Sequence, residues 1–313
     1  MSLGNFFARK VISETIEESK PVTSKDKGSM TPFQQLISGG VAGVIARTIT
    51  SPLDVIKIIF QVHKGPSEYN GIFDAFSKIY QKQGLAGFWR GNLAGCARIA
   101  PYSAAKFFSY DKYSQIIGQG KPLTNSQRLI AGSLAGATGV MITYPFDLIK
   151  TRMTVSDEYK SIVQSFFKIM KEENVTGLYR GIVPTLCGII PYEGGQFLTY
   201  GSVKKYLEKK LNRPLSVGQN LVVGAFSGAF AQTVAYPFDI IRKRLMVSDD
   251  YNGMFDCAHK IITEEGFKAL YRGNVSNIIK VIPYAGLTFL TYEQVKGYFD
   301  RKNMEKIDEL LRD

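Results

Sequence analysis

Three short stretches set the register of this chain: Ser51-Pro52-Leu53-Asp54-Val55-Ile56-Lys57, Tyr144-Pro145-Phe146-Asp147-Leu148-Ile149-Lys150 and Tyr236-Pro237-Phe238-Asp239-Ile240-Ile241-Arg242. Each reads proline, one residue, Asp, two apolar residues, then a base. The prolines lie 93 and 92 positions apart. One such hexapeptide carries little weight, but three at a near-constant period mark an internal triplication.

Other features keep the same register. Gly39 and Gly43, Gly132 and Gly136, and Gly224 and Gly228 are pairs four apart, a spacing that lets helix backbones approach closely in a bilayer. Each pair precedes its proline on what reads as one long helix, kinked where the proline removes a backbone bond. A polar segment and a short amphipathic helix follow in each copy. Next come Trp89-Arg90-Gly91, Tyr179-Arg180-Gly181 and Tyr271-Arg272-Gly273. An aromatic ring and a base at this place suit a membrane interface, the ring among headgroups and the cation on lipid phosphate. A second long helix closes each copy, starting at Asn92, Ile182 and Asn274. The expected fold class is an all-α membrane protein of six transmembrane helices, in three tandem two-helix repeats with short amphipathic helices. The expected divisions are a soluble tail 1–30, repeats 31–121, 122–214 and 215–300, and a C-terminal tail 301–313. The first tail reads as soluble, helical from Leu3 to Ser19, without a secretory core, a transit-peptide composition or a calcium loop.

Composition narrows the function. The net charge of +12 suits an anionic partner such as nucleic acid, phospholipid or a charged metabolite. Cys96, Cys187 and Cys257 are too scattered for a disulfide framework, and His63 and His259 lack the clustered ligands of a metal site. No uninterrupted apolar run of about 18 residues stands out. Stretches such as 33–51 and 129–144 are apolar but admit a charge or hydroxyl, as helices do when one side faces lipid and the other a polar cavity.

Over residues 33–300 the chain resembles the mitochondrial carrier family, on the strength of its three Pro-x-Asp-x-x-Lys/Arg copies, its glycine pairs and its aromatic–base–glycine copies. The resemblance implies a six-helix, pseudo-threefold barrel in the inner mitochondrial membrane that moves solutes by alternating access. It implies a monomer in contact with cardiolipin, with no cofactor. It also implies that each Asp meets the base of the next repeat: Asp54 with Lys150, Asp147 with Arg242, and Asp239 with Lys57. These pairs would close the matrix side when the cavity faces outward. Gln61 falls where the family places a glutamine brace beneath such a pair; Thr154 and Met246 stand at the matching positions, so one brace is expected.

At the opposite gate the family pattern is aromatic, acid, two residues, base. Here it reads Tyr110-Asp111 to Ser114, Tyr200-Gly201 to Lys204, and Tyr292-Glu293 to Lys296. Ser114 and Gly201 would face each other, so both members of one bridge are missing together. Lys204 with Glu293 and Lys296 with Asp111 would remain, giving a weaker gate on the cytoplasmic side.

Positions that differ between repeats can read an asymmetric solute. Arg98, Gly188 and Lys280 lie eight residues beyond Arg90, Arg180 and Arg272, at the family's three contact points. A cation, a glycine and a cation fit an anion whose bulky part slides over Gly188 and Ile189. Arg47 and Lys106 would add positive charge to the cavity, and Tyr192 could stack on a base. The stretches 57–62, 179–185 and 188–192 resemble coenzyme A carriers within the family. The expected solute is therefore coenzyme A or an adenine nucleotide, with thiamine pyrophosphate or ATP-magnesium in exchange for phosphate as alternatives. An enzyme would need a nucleophile–base or metal constellation, which the sequence lacks. A nucleic-acid binder would carry an exposed basic stripe. A non-transporting scaffold of the same fold is disfavoured by the complete set of hexapeptide charges.

Overall fold

In a computed structural model, described for residues 30–65, 69 and 71–310, the long helices of all three copies begin in the same way. Thr31, Thr124 and Ser216 each accept a hydrogen bond from the backbone of the Gln three residues on. The Gln34, Gln127 and Gln219 side chains reach back to the backbone N–H of Thr31, Thr124 and Ser216 at 2.9, 2.9 and 3.0 Å. These reciprocal caps satisfy donors that a helix start leaves open. They open α1 (Pro32–Val62), α5 (Asn125–Val155) and α9 (Val217–Val247). The expected helix Leu3–Ser19 lies outside the described residues.

Each capped helix is followed by a short helix: α2 (Ile72–Gln83), α6 (Ile162–Gly177) and α10 (Met254–Lys260). The second long helix of each copy is broken near its start in the first two copies, as α3 (Asn92–Ala97) with α4 (Ile99–Gly118) and α7 (Ile182–Cys187) with α8 (Ile189–Leu211). In the third copy it is continuous, α11 (Asn274–Leu310). The chain forms two compact units, Ser51–Ile278 and the remainder, the division falling within α1 and α11. In the larger unit α4 packs along α5, α8 along α9, and α5 meets α9. In the smaller unit Gln34 and Asn303 exchange side-chain hydrogen bonds at 3.1 Å.

The long helices invert the burial of a water-soluble protein. On α9, Val222, Phe226, Phe230 and Val234 are exposed at intervals of four, a single apolar face. Ile130, Leu134, Met141 and Ile142 on α5 do the same. The small Ala131 and Ala135 and the hydroxyl of Thr143 are buried instead. Apolar surface this continuous requires an apolar solvent. By length and composition alone, Ser126–Val155 qualifies as a membrane span, and Gly218–Val234 with Tyr236–Val247 qualifies as a pair bent by 56°. The bend falls beside Pro237, which cannot donate to the preceding turn.

Within the glycine pairs, a Cβ on Gly39 or Gly132 would meet nothing within 4 Å, while Gly43, Gly136, Gly224 and Gly228 are buried. Other glycines also make helix contact: a Cβ on Gly139 would come 3.1 Å from the Tyr102 ring, and one on Gly195 would come 3.6 Å from Ala231.

The tight contacts instead involve Gly91, Gly181 and Gly273, at φ 71°, 78° and 79°. A Cβ there would lie 2.6 Å from the Lys150 carbonyl oxygen, 2.7 Å from that of Arg242 and 3.2 Å from that of Lys57. Each glycine therefore presses on the hexapeptide base of the following copy, at a backbone angle that side chains rarely adopt. Replacing Gly91 by Ala is expected to cost at least about 2 kcal/mol, from strain and overpacking together. Gly132→Ala, with open space around it, should be neutral or slightly stabilising, because Ala favours the helix by up to about 1 kcal/mol. Melting temperatures of the two variants in detergent would check both.

Candidate functional site

The hexapeptide places Asp and base three residues apart on one face at the end of a helix. In the larger unit the three copies interlock there. Lys150 Nζ donates to Asp54 Oδ2 at 3.1 Å, Arg242 Nη1 to Asp147 Oδ2 at 3.1 Å, and Lys57 Nζ to Asp239 Oδ2 at 3.3 Å. Each bond joins one copy to the next, so three bonds close a ring. The acids are only 7–8% exposed. A charge so buried is costly without its partner, so each pair holds two helix ends together. Gln232 Nε2 adds a bond to Asp239 at 3.0 Å, and Lys57 lies 5.5 Å over the Tyr236 ring. Gln61 is buried, with its side-chain amide beside the Tyr236 hydroxyl. Thr154, at the matching place, donates to the Lys150 carbonyl at 2.8 Å.

Asp147 receives two further cations on its other oxygen. Arg98 Nη1 and Lys243 Nζ each stand 3.6 Å from Oδ1. Arg98 is held by Nε donating to Thr143 at 3.1 Å, and Lys243 by donating to Thr151 at 2.6 Å. Lys243 escaped the sequence reading, although the register points to it: Ile58 and Thr151 occupy its place in the other copies.

A second tier lies beyond the ring. Arg152 pairs with Glu173 and donates from Nε to the Met246 carbonyl at 2.9 Å; Arg180 joins the same carboxylate at 3.4 Å. In the third copy Arg244 and Arg272 both pair with Glu265. Arg244 also donates to the carbonyls of Gln61 at 3.3 Å and His63 at 2.9 Å. The first copy has Ile59 and Gln83 where these have Arg and Glu. There Arg90 reaches Asp157 and the carbonyls of Met153 at 3.0 Å and Ser156 at 2.6 Å. This tier too was legible: the arginines stand seven after Pro145 and Pro237, and the glutamates seven before Arg180 and Arg272.

That tier overturns the lipid role expected for the aromatic–base–glycine copies. Arg90, Arg180 and Arg272 turn inward, onto carboxylates. Arg90 and Arg180 also reach the carbonyls that end α5 and α9. A carboxylate, joined for Arg90 and Arg180 by a helix C-terminus, offers a guanidinium charge-assisted hydrogen bonds within the protein. Tyr179 stacks on Tyr144 and Tyr271 on Tyr236, with ring centroids 6.0 and 6.3 Å apart. Trp89 alone of the three aromatics is exposed. Tyr144 and Tyr236 donate to the Arg180 and Arg272 carbonyls at 2.8 and 2.9 Å, and Ser51 does the equivalent to Phe88 at 2.9 Å.

The remaining expected residues are spread along the helices. Gly188 is packed: a Cβ there would come 3.0 Å from Phe238, so its missing side chain makes room for that ring. Ile189 and Tyr192 are buried beside it on α8. Lys106 is half-buried on α4, two turns beyond Arg98. In the smaller unit Arg47 is half-buried on α1, and Lys280 is buried on α11 with its ammonium 5.8 Å over Tyr284. Asp111 is exposed, and Lys204 stands 3.9 Å from Glu208 on its own helix. Glu293 and Lys296 lie on the smaller unit's part of α11, the first exposed and the second half-buried.

Lipid-facing helices in three equivalent copies, locked at one end by breakable ion pairs, define a membrane carrier. A family model described as "Mitochondrial carrier protein" matches residues 28–121, 121–211 and 213–303. The chain belongs to the mitochondrial carrier family, whose members cross the inner mitochondrial membrane several times. It is 37% identical over 302 residues to the mitochondrial adenine nucleotide transporter ADNT1 of Arabidopsis thaliana, covering 84% of this chain and 86% of that one. It is 36% identical over 291 residues to the mitochondrial coenzyme A transporter SLC25A42 of Danio rerio, covering 88% and 90%. It is 34% identical over 296 residues to the human mitochondrial adenyl nucleotide antiporter SLC25A24, covering 91% of this chain and 62% of the longer relative.

The second tier makes a stability prediction. Arg152 hydrogen-bonds Glu173 and holds its carboxyl below the usual range. For Glu265, burial pushes the pKa up, but the Arg244 bond and the charges of Arg244 and Arg272 outweigh it and the net shift is downward. A carboxyl depressed on folding stabilises fully above its unfolded pKa of about 4.3, and the contribution fades as pH falls through the lower folded value. Glu265→Ala should cost about 3 kcal/mol at neutral pH by leaving two guanidinium groups without their carboxylate. Melting curves of wild type and variant should then converge as the pH is lowered toward 3, about the lower edge of the ordinary carboxyl range.

Proposed function

We propose that this chain is an inner-membrane antiporter, not an enzyme, that exchanges coenzyme A or a related adenine nucleotide by alternating access. The observation that carries the reading is the ring of three ion pairs with additional cations on Asp147. The ring is a lock that can open without breaking covalent or backbone structure, and the added cations are chemistry for a phosphate. The printed names of the relatives, which transport adenine nucleotides or coenzyme A, support the same solute class. Arg98 is read as the first anion contact, with Arg47, Lys106 and Lys280 adding positive charge along the path. Gly188, Ile189 and Tyr192 are assigned to the bulky part of the solute, with the Tyr192 ring offering the stacking surface. Asp54, Lys57, Asp147, Lys150, Asp239 and Arg242 form the matrix gate, above Gln61. Asp111, Lys204, Glu293 and Lys296 are assigned to the cytoplasmic gate. The working unit is read as a monomer in contact with cardiolipin, with which the net charge of +12 is compatible.

Purified protein in liposomes preloaded with ADP should take up coenzyme A or ADP at least about tenfold faster than malate, since discrimination between such anions rests on contacts worth over about 1.4 kcal/mol. Exchange of carboxylates alone would overturn the solute class. In the same assay Asp54→Lys and Lys150→Asp should each abolish most exchange. The double reversal should recover a substantial part, because it restores a pair in which neither charge is stranded.

A further inference from the structure

The far end of α8 carries a basic face on the outside of the molecule. The helix follows Gly188, which packs on Phe238 of the third hexapeptide, and runs 23 residues to Leu211. At 1.5 Å per residue, Leu211 lies about 34 Å along the helix from the ring end. Exposed Ile190, Phe197 and Leu198 mark the side of α8 turned to lipid. The exposed residues beyond them keep the helical rhythm: Gly201, Ser202, Lys205, Tyr206, Lys209 and Lys210. At about 100° per residue, Lys205 and Lys209 come within about 20° of the direction of Leu198. The bases therefore continue the lipid-facing side. Glu208, the one acid between Gly201 and Arg213, is half-buried off this side, with Lys204 3.9 Å away.

Apolar side chains, then an aromatic ring, then bases along one exposed stripe mark the passage of a helix from hydrocarbon into headgroups. Tyr206, 65% exposed, is that ring. The helix dipole accounts for bases in the last turn, Lys209 and Lys210, but not for Lys205, six residues before the end. Nor is the charge a general property of these helix ends. Counted from Tyr110, Tyr200 and Tyr292, the places of Lys205, Lys209, Lys210 and Arg213 hold Gln115, Gln119, Gly120 and Leu123 in the first copy. In the third copy they hold Gly297, Arg301, Lys302 and Glu305. Bases that guided an anionic solute would line the inner side, whereas Lys205 and Lys209 stand on the outer one.

We infer that Lys205, Lys209, Lys210 and Arg213, with Tyr206 as the interfacial ring, form a docking face for the headgroups of anionic phospholipid in the leaflet remote from the ring. Together the bases enrich anionic lipid around this helix end and hold it at a fixed depth. The inference does not depend on which solute is carried.

The test uses the full chain in vesicles of phosphatidylcholine and phosphatidylglycerol. Trp89→Tyr, the residue of the other two copies, removes the native indole, and Tyr206→Trp introduces a reporter that keeps an interfacial ring. Quenching by brominated phosphatidylglycerol is compared with quenching by brominated phosphatidylcholine at equal mole fraction. At low salt the anionic lipid should be enriched at least about threefold beside the reporter. The preference should fade at about 1 M salt, where the Debye length falls to about 3 Å. Changing Lys205, Lys209 and Lys210 together to Gln should bring the ratio to about one, and changing them together to Arg should preserve it, since the charge remains. All three side chains are exposed, and a melting curve of each variant confirms that it is folded. Equal quenching by the two lipids before any charge is removed would overturn the face, as would a preference that survives in the folded Gln variant. Lipid parity joined to slower coenzyme A uptake by the Gln variant, in vesicles of phosphatidylcholine alone, would hand the bases to the solute and overturn it as well.

Discussion

A charge buried at the end of a membrane helix must have a partner, and this requirement shapes the molecule. Alone, each hexapeptide would place an acid and a base where neither is well solvated. Arranged in a ring, every acid finds the base of the next copy, and every copy becomes both donor and acceptor. The same order, first to second, second to third and third to first, recurs in the glycines at 91, 181 and 273. These press on the backbone of the bases that the ring engages. Backbone contact and side-chain pairing therefore specify one arrangement, as in sequences whose local and global preferences agree.

The copies are equivalent enough to close and unequal enough to discriminate. In the second tier, the second and third copies use two arginines on one glutamate, while the first lets Arg90 serve alone. In the ring, Asp147 meets Arg242, Arg98 and Lys243, while Asp239 meets Lys57 and, at 3.0 Å, Arg242, so the copies are joined by unequal sets of charges.

Much of this could be read from residue order. The triplication came from spacing and the ion pairs from the family resemblance; of the bends expected at the three prolines, the one beside Pro237 is present at 56°, while single helices run through Pro52 and Pro145. Also legible were the reciprocal caps at Thr31, Thr124 and Ser216, since Ser/Thr followed three residues later by Gln is visible in the chain. The arginine–glutamate tier and Lys243 also keep register. They were missed because charged residues near helix ends read by default as solvated or lipid-facing. Gly132 went the opposite way: it looked like a packing glycine and meets open space.

Sequence by itself determined the number of copies, the helices and which residues had to be paired, because these follow from periodicity and from the cost of unpaired charge. Tertiary structure decided which way each side chain turned. Arg90, Arg180 and Arg272 could have met lipid phosphate. They meet carboxylates instead, Arg180 and Arg272 those of Glu173 and Glu265 in their own copies and Arg90 that of Asp157 in the next, because folding brings these groups within reach. The same holds at Asp147, where Arg98 from one copy and Lys243 from another, 145 positions apart in the chain, converge on one oxygen.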